Sequence, residues 1–209
     1  LKSEEKVTMI ITGPSSNLAS ALERNPKIKE KIEEVILVGG ALGGPGNVHQ
    51  YNHEASAEWN FYYDAAAARK VIRSGLKITL LPLGSANACP SDLSFLKQLA
   101  KQREFDLSDL ACQILAPTLT VAGGKFQHLM GDVLGAAYVV IDKLAATRKA
   151  DVDVDVEAPS EGRIFESEGS NHSINVISEI NVEVFQKAYL EILMKNVKKM
   201  DLSVHSTTR

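Results

Sequence analysis

Three short apolar, β-branched runs limit the architectures open to this chain: Lys6–Ile11 (KVTMII), Val35–Val38 (VILV) and Lys77–Pro82 (KITLLP). Each reads as a buried strand, and helical signals lie between them. The turn Thr12–Asn17 runs into the pattern LASAL, Pro26 opens a segment over Lys27–Glu34, and Asp64 caps an alanine-rich helix Ala65–Ser74 that ends at Gly75. Buried strands joined through helices form parallel pairs, because a parallel partner is reached only by a crossover that returns the chain to the same end. The loops at the strand carboxyl ends then gather on one edge, where such sheets bind ligands.

The remainder of the chain fills in a single domain over residues 1–209. Gly84–Ala116 turns helical, with Ser91-Asp92 capping Leu93–Lys101 and an apolar helical spacing over Leu107–Leu115. Gly123–Met130 reads as a loop, Asp132 begins an apolar helix that runs to Ala146, and Ile174–Ile180 reads as a strand. Asp151–Val156 alternates with period two. Its aspartates form the wet face of a strand, because a metal loop needs a turn to bring its oxygens together. Val182–Met200 is a long amphipathic helix and Asp201–Arg209 a frayed polar tail. The expected fold is an open, mainly parallel α/β sheet with helices on both faces and a helical cover over the strand carboxyl ends.

Composition narrows the function. A net charge of −3 without a basic cluster interleaved with aromatics argues against nucleic acid as partner. No apolar run approaches the roughly 20 residues of a membrane span, and LKSEEK is not a secretory signal, so no membrane partner and a cytoplasmic location are expected. The two cysteines, Cys89 and Cys112, make neither a disulfide framework nor a zinc site.

The stretch Val35–Asp64 holds the candidate site. A double glycine, Gly39-Gly40, follows the strand, and Asn47, Asn52, Glu58 and Asn60 come after it. Neutral amides with one carboxylate supply the donors and acceptors that grip sugar hydroxyls, although turn-forming asparagines in a solvated loop give the same composition. The glycines do not spell GxGxxG and no acidic residue follows at the dinucleotide spacing, which sets aside a nicotinamide-dependent oxidoreductase.

Several motifs stand in a fixed order: TGPSSNLA at 12–19, VGG at 38–40, GN at 46–47, EWN at 58–60, GDVLGAAY at 131–138 and EGR at 161–163. In this order and spacing, from about Val7 to Asn196, the chain resembles the inosine-uridine preferring nucleoside hydrolases. The resemblance implies hydrolysis of the N-glycosidic bond of ribonucleosides to free base and ribose, with Ca2+ as cofactor, a small-molecule nucleoside or ribose as ligand and a homo-oligomeric state. It implies that Asn47, Glu58, Trp59 and Asn60 bind substrate, Trp59 either walling the base or filling the core. It also implies that the main-chain carbonyl of Thr12 and the carboxylate of Asp132 bind metal, Asp132 reading equally as a helix N-cap. Cleavage of an N-riboside passes through an oxocarbenium-like sugar, which carboxylates and amides stabilise.

The resemblance departs at identifiable places. The family pattern opens with an aspartate cluster, DxDxxxDD, well ahead of the TGP turn, whereas eleven residues precede Thr12 here and none is aspartate. One carbonyl and one carboxylate give calcium at most three of its about six to eight oxygens. The expectation is an N-terminally truncated hydrolase, inactive as the isolated chain, or alternatively a paralogue that binds nucleoside or sugar without cleaving it. Gly131 stands where many members carry a histidine that protonates the leaving base. His128 in the same loop is the candidate substitute, or a structural or exposed histidine. The spacing from Asn47 to Glu58 is longer than usual, and the insertion HQYNHEAS is either a lid, with His49 or His53 reaching the base, or an idle surface loop.

Overall fold

The computed structural model describes residues 5–89, 91–121 and 130–195. Along the chain come β1 (Val7–Ile11), α1 (Ser16–Arg24), a 3-10 turn (Pro26–Lys31), β2 (Ile32–Val38), α2 (Trp59–Tyr62), α3 (Ala65–Ile72), β3 (Ile78–Leu81) and α4 (Leu83–Asn87). Then follow α5 (Leu93–Ala100), α6 (Asp106–Val121), α7 (Gly131–Val140), β4 (Ala145–Val154), β5 (Ile164–Glu166), β6 (Ser173–Ile180) and α8 (Val182–Leu193). They build a six-stranded α/β sheet in the order β1-β2-β3-β6-β4-β5.

The parallel sheet expected from the first three apolar runs is present. β1, β2, β3 and β6 are parallel neighbours, and β4 and β5 complete the sheet antiparallel. β2 lies between β1 and β3, and Val35 to Val38 are at most 6% exposed, which is why that run lacks alternation. β1 sits at the edge and does alternate between half-buried and exposed. Two apolar cores sandwich the sheet. α1 and α3 bury Leu18, Leu22, Ala68 and Val71 against Val35, Leu37, Ile78 and Leu80. On the other side Val38, Leu81 and Ile177 meet Phe95, Leu115, Leu134 and Phe185 from α5, α6, α7 and α8. Asp64 caps α3 as expected, its Oδ1 accepting from Ala67 N at 3.0 Å, while its Oδ2 accepts from Ser16 Oγ at 2.5 Å and ties α3 to α1.

Strand pairing overrides local helical pattern at two places. The segment after Pro26 is a 3-10 turn only to Lys31, and β2 begins at Ile32 because Ile32 and Glu34 pair with Val7 and Thr8. The helix read from Asp132 to Ala146 stops at Val140, with Ile141 extended, because Ala145 and Ala146 are needed to pair with Ile180 and Glu179. Helix α6 is longer than its apolar spacing suggested and contains Pro117. Helix α8 ends at Leu193, and residues 196–209, which include the expected polar tail, lie outside the described residues, as do 122–129, which include all of the expected loop except Met130. In β4, Val152 and Val154 are buried and Asp153 pairs with Arg73, while Asp155, just past the strand's end, pairs with Arg163. The period-two pattern therefore gives one apolar face and one ion-paired face.

Candidate functional site

The site is assembled where β2 and β3 end. Gly39 N donates to Leu81 O at 3.1 Å and Leu83 N to Gly40 O at 2.8 Å, so the double glycine keeps the two strand ends together as the chain turns away. Both glycines have positive φ, +142° and +73°, and a Cβ on Gly39 would stand 2.6 Å from Glu58 Oε2. Glycine is required here for the backbone turn and for the approach of a carboxylate. Glu58 uses that room: its Oε2 accepts from Gly40 N at 2.9 Å and from Asn60 N at 3.0 Å. The second bond makes Glu58 the N-cap of α2. At 7% exposure the carboxyl is pushed above the ordinary glutamate range, chiefly by burial and slightly by the charge of Asp132, with the backbone N–H groups opposing the shift.

The long insertion between Asn47 and Glu58 does not separate them. Gly46 N donates to Ala55 O, and Asn47 N and Val48 N both donate to Ala57 O, so residues 48–56 form a loop closed at its base. The closure needs glycine at 46, where a Cβ would lie 2.0 Å from Ala57 O. Asn47 Oδ1 then accepts from Trp59 N at 3.1 Å, and Asn60 Nδ2 donates to Val38 O at 3.1 Å. Each amide thus anchors one end on backbone, and the other polar end, a donor on Asn47 and an acceptor on Asn60, has no hydrogen-bond partner among the described residues.

These residues line one pocket of about 110 Å³ with Val38, Gly39, Leu81, Leu83, Ala86, Asn87, Gly131 and Asp132. Of the helical cover, α4 and the start of α7 supply this wall. Asp132 is exposed as a residue, yet its carboxyl sits in the pocket wall, where partial burial pushes it above the ordinary aspartate range. It makes no side-chain cap to α7, whose N-cap position is Met130. Among the described residues no cationic side chain lines the pocket, so its two carboxylates create a negative field suited to a positively charged or electron-poor partner.

The other expected site residues fall elsewhere. Thr12 is exposed at the carboxyl end of β1 and does not line this pocket. Among the described residues no three His, Cys, Asp or Glu side chains converge as a metal centre. The ring of Trp59 packs on Tyr62 and Tyr63 at centroid distances of 5.7 and 5.3 Å, outside the pocket lining. His53 accepts from Ala55 N through Nδ1, so its Nε2 carries the proton and donates to Glu161 O at 2.9 Å. It serves as a brace between the inserted loop and the 158–163 turn, where Glu54 also meets Ser160 and Arg163. His49 is exposed and outside the lining, Asn52 is exposed with φ +62° on the inserted loop, and His128 lies outside the described residues. Asn87 is the polar wall residue that sequence reasoning missed. Its one available signal was its position just after a parallel strand's carboxyl end.

Residues 1–187 match the family model described as inosine-uridine preferring nucleoside hydrolase. The chain belongs to this family of hydrolases. Among solved structures, it is similar to the inosine-uridine preferring nucleoside hydrolase from Bacillus anthracis, with a TM-score of 0.83 and 32% identity over 94% of this chain and 62% of that one. It is also similar to the purine-preferring ribonucleoside hydrolase from Gardnerella vaginalis, with a TM-score of 0.74 and 25% identity over 90% of this chain and 60% of that one. The pyrimidine-specific ribonucleoside hydrolase RihA of Klebsiella pneumoniae is 33% identical over 101 residues, 47% of this nucleoside hydrolase-family chain and 30% of the relative. The chain thus spans under two thirds of the length of the relatives it matches.

Proposed function

We propose that this chain forms the sugar-gripping part of a nucleoside N-ribohydrolase, which cleaves ribonucleosides to free base and ribose. The observation that supports this best is the convergence of Asn47, Glu58, Asn60 and Asp132 on one polar pocket at the strand carboxyl ends. The pocket is smaller than the roughly 300–1,000 Å³ of drug-sized ligand sites. It suits a sugar ring whose base projects beyond it. Asn47 offers an N–H and Asn60 a carbonyl to sugar hydroxyls, and Glu58 and Asp132 place negative charge where an oxocarbenium-like sugar becomes positive. Gripping of this kind gains strength in the transition state, because the carboxylates act on charge that is absent from the ground state.

Calcium is part of the reading through the resemblance alone. The Thr12 carbonyl and the Asp132 carboxylate would provide at most about three of the six to eight oxygens calcium takes, so the described residues do not complete its shell and no step is routed through it. The test is release of ribose from inosine and from uridine, followed as reducing sugar, beside calorimetric titration of the chain with ribose in the presence and absence of calcium. Ribose binding that falls at least tenfold in Asn60→Ala supports the sugar-gripping part. Binding without release is the outcome expected both of a truncated hydrolase and of a sugar-binding paralogue, and ribose release gained on joining a DxDxxxDD-bearing segment to the chain marks the hydrolase. Absence of both refutes the reading.

A further inference from the structure

A groove of about 550 Å³ lies between α1, the 3-10 turn and α3, and shares no lining residue with the Glu58 pocket. Ala66, Arg69, Lys70 and Arg73 enter it from α3 and its C-cap, spaced three and four residues apart on one helix face. Lys29 enters from the 3-10 turn, and Leu22, Pro26 and Ala66 make the apolar part of the lining. Three of these cations have partners. Lys70 pairs with Glu23, Arg73 pairs with Asp153 with its Nε donating to Oδ1 at 3.0 Å, and Lys29 Nζ donates to Ser74 O at 2.5 Å. Arg69 is different. It is half-buried, and its guanidinium makes no hydrogen bond or ion pair among the described residues. Asp153 feels it only as a charge: that carboxyl is held below the ordinary aspartate range first by the bond from Arg73 and last by the charge of Arg69.

Basic residues near a helix carboxyl end ordinarily serve the terminal carbonyls, but here Lys29 already does so at Ser74. Glu23 and Asp153 offset Lys70 and Arg73, which leaves the charges of Lys29 and Arg69 uncompensated in one concavity of a chain whose net charge is −3. Arginine is seldom drawn into a protein surface unpaired, and its planar fork of donors matches the oxygens of a phosphate. We propose that this groove binds a small phosphate monoester with an apolar body, the phosphate on Arg69 and Lys29 and the body on Leu22, Pro26 and Ala66. A phosphate dianion balances the two uncompensated charges, which a single carboxylate does not. The volume falls within the roughly 300–1,000 Å³ of small-molecule sites and far exceeds what a bare inorganic ion fills. The site is independent of the sugar-gripping pocket, so neither reading rests on the other.

The test is calorimetric titration of the full 209-residue chain with phenyl phosphate, inorganic phosphate and phenol, beside thermal melting without ligand. Arg69→Met keeps the apolar stem, Arg69→Gln keeps a polar end, and Lys27→Gln removes an exposed cation of the same turn that does not line the groove. The expected result is that phenyl phosphate binds more tightly than inorganic phosphate and phenol does not bind. Both Arg69 variants weaken phenyl phosphate at least tenfold, the loss of a charge-assisted bond, while Lys27→Gln leaves it within twofold and all three variants melt close to the wild type. No binding of phenyl phosphate by the wild type overturns the proposal. So do equal losses in the Lys27 and Arg69 variants, which mark diffuse attraction, and inorganic phosphate that binds as tightly as phenyl phosphate, which removes the apolar seat. Melting several degrees lower in both Arg69 variants overturns it by making Arg69 structural. A single-stranded oligonucleotide that binds through Arg69 more tightly than phenyl phosphate overturns the small-molecule reading in favour of nucleic acid.

Discussion

Replacing Glu58 in two ways separates its charge from its acceptor. Glu58→Ala removes the oxygen that receives Gly40 N–H in a buried setting and Asn60 N–H at the start of α2. Orphaning the first donor costs about 1–3 kcal/mol and losing the cap about 1 kcal/mol, together roughly 2–4 kcal/mol. At about 2–4 °C per kcal/mol for a chain of this size, melting falls by roughly 5–15 °C. Glu58→Gln keeps an amide oxygen in the accepting position and removes a buried charge, so its stability at neutral pH stays within about 1 kcal/mol of wild type. The pH dependence fixes the sign. Burial raises the folded carboxyl above its ordinary value of 4.5, so between 4.5 and the folded value the native state binds more protons than the unfolded one. Wild-type stability relative to Glu58→Gln therefore declines as pH rises through that window, and the two proteins run parallel below it. Circular dichroism melts of all three proteins from pH 4 to pH 8 measure this. Equal destabilisation by alanine and glutamine, or a wild-type advantage that grows as pH rises through the window, would refute the reasoning.

Two further substitutions probe how the site is held. Gly46→Ala forces a Cβ into the Ala57 backbone, and about 3 kcal/mol of stability is lost as the loop base opens. Because Trp59 is the single tryptophan and its backbone N–H donates to Asn47 Oδ1, its fluorescence emission shifts with the loop, and an unchanged spectrum and melt would exclude the close approach. Asp64→Ala loses both the α3 cap and the bond from Ser16, about 1–2 kcal/mol, and denaturant unfolding of Asp64→Ala, Ser16→Ala and the double variant yields a coupling near 1 kcal/mol. Additive effects of the two single changes would show that the α1–α3 bond contributes nothing.

The site was legible in sequence to the extent that its members share one stretch or one motif. Asn47, Glu58 and Asn60 follow the VGG turn closely enough that the strand end brings them together, and Asp132 stands at the start of an apolar helix. The insertion between Asn47 and Glu58 was legible as lengthened spacing, but not that a loop closed at its base adds residues without moving its ends. The EGR motif was visible as a string, but its work was not. Glu161 braces His53 and Arg163 pairs with Glu54 and Asp155, across more than a hundred residues of chain in the first case.

By itself the sequence determined the parallel αβ frame, the capped α3 helix and the polar stretch at the end of β2, because strand burial, helix caps and glycine turns are governed by neighbours a few residues away. Tertiary structure alone decided where α7 stops and β4 begins, since Ala145 and Ala146 are strand only because Ile180 and Glu179 lie beside them. It alone decided that Trp59 turns to Tyr62 and Tyr63, and that Thr12 lies outside the pocket. It alone placed Asn87 in the wall with an unpaired oxygen. Each of these depends on which distant backbone donates or accepts at a point in space, and no local pattern carries that information.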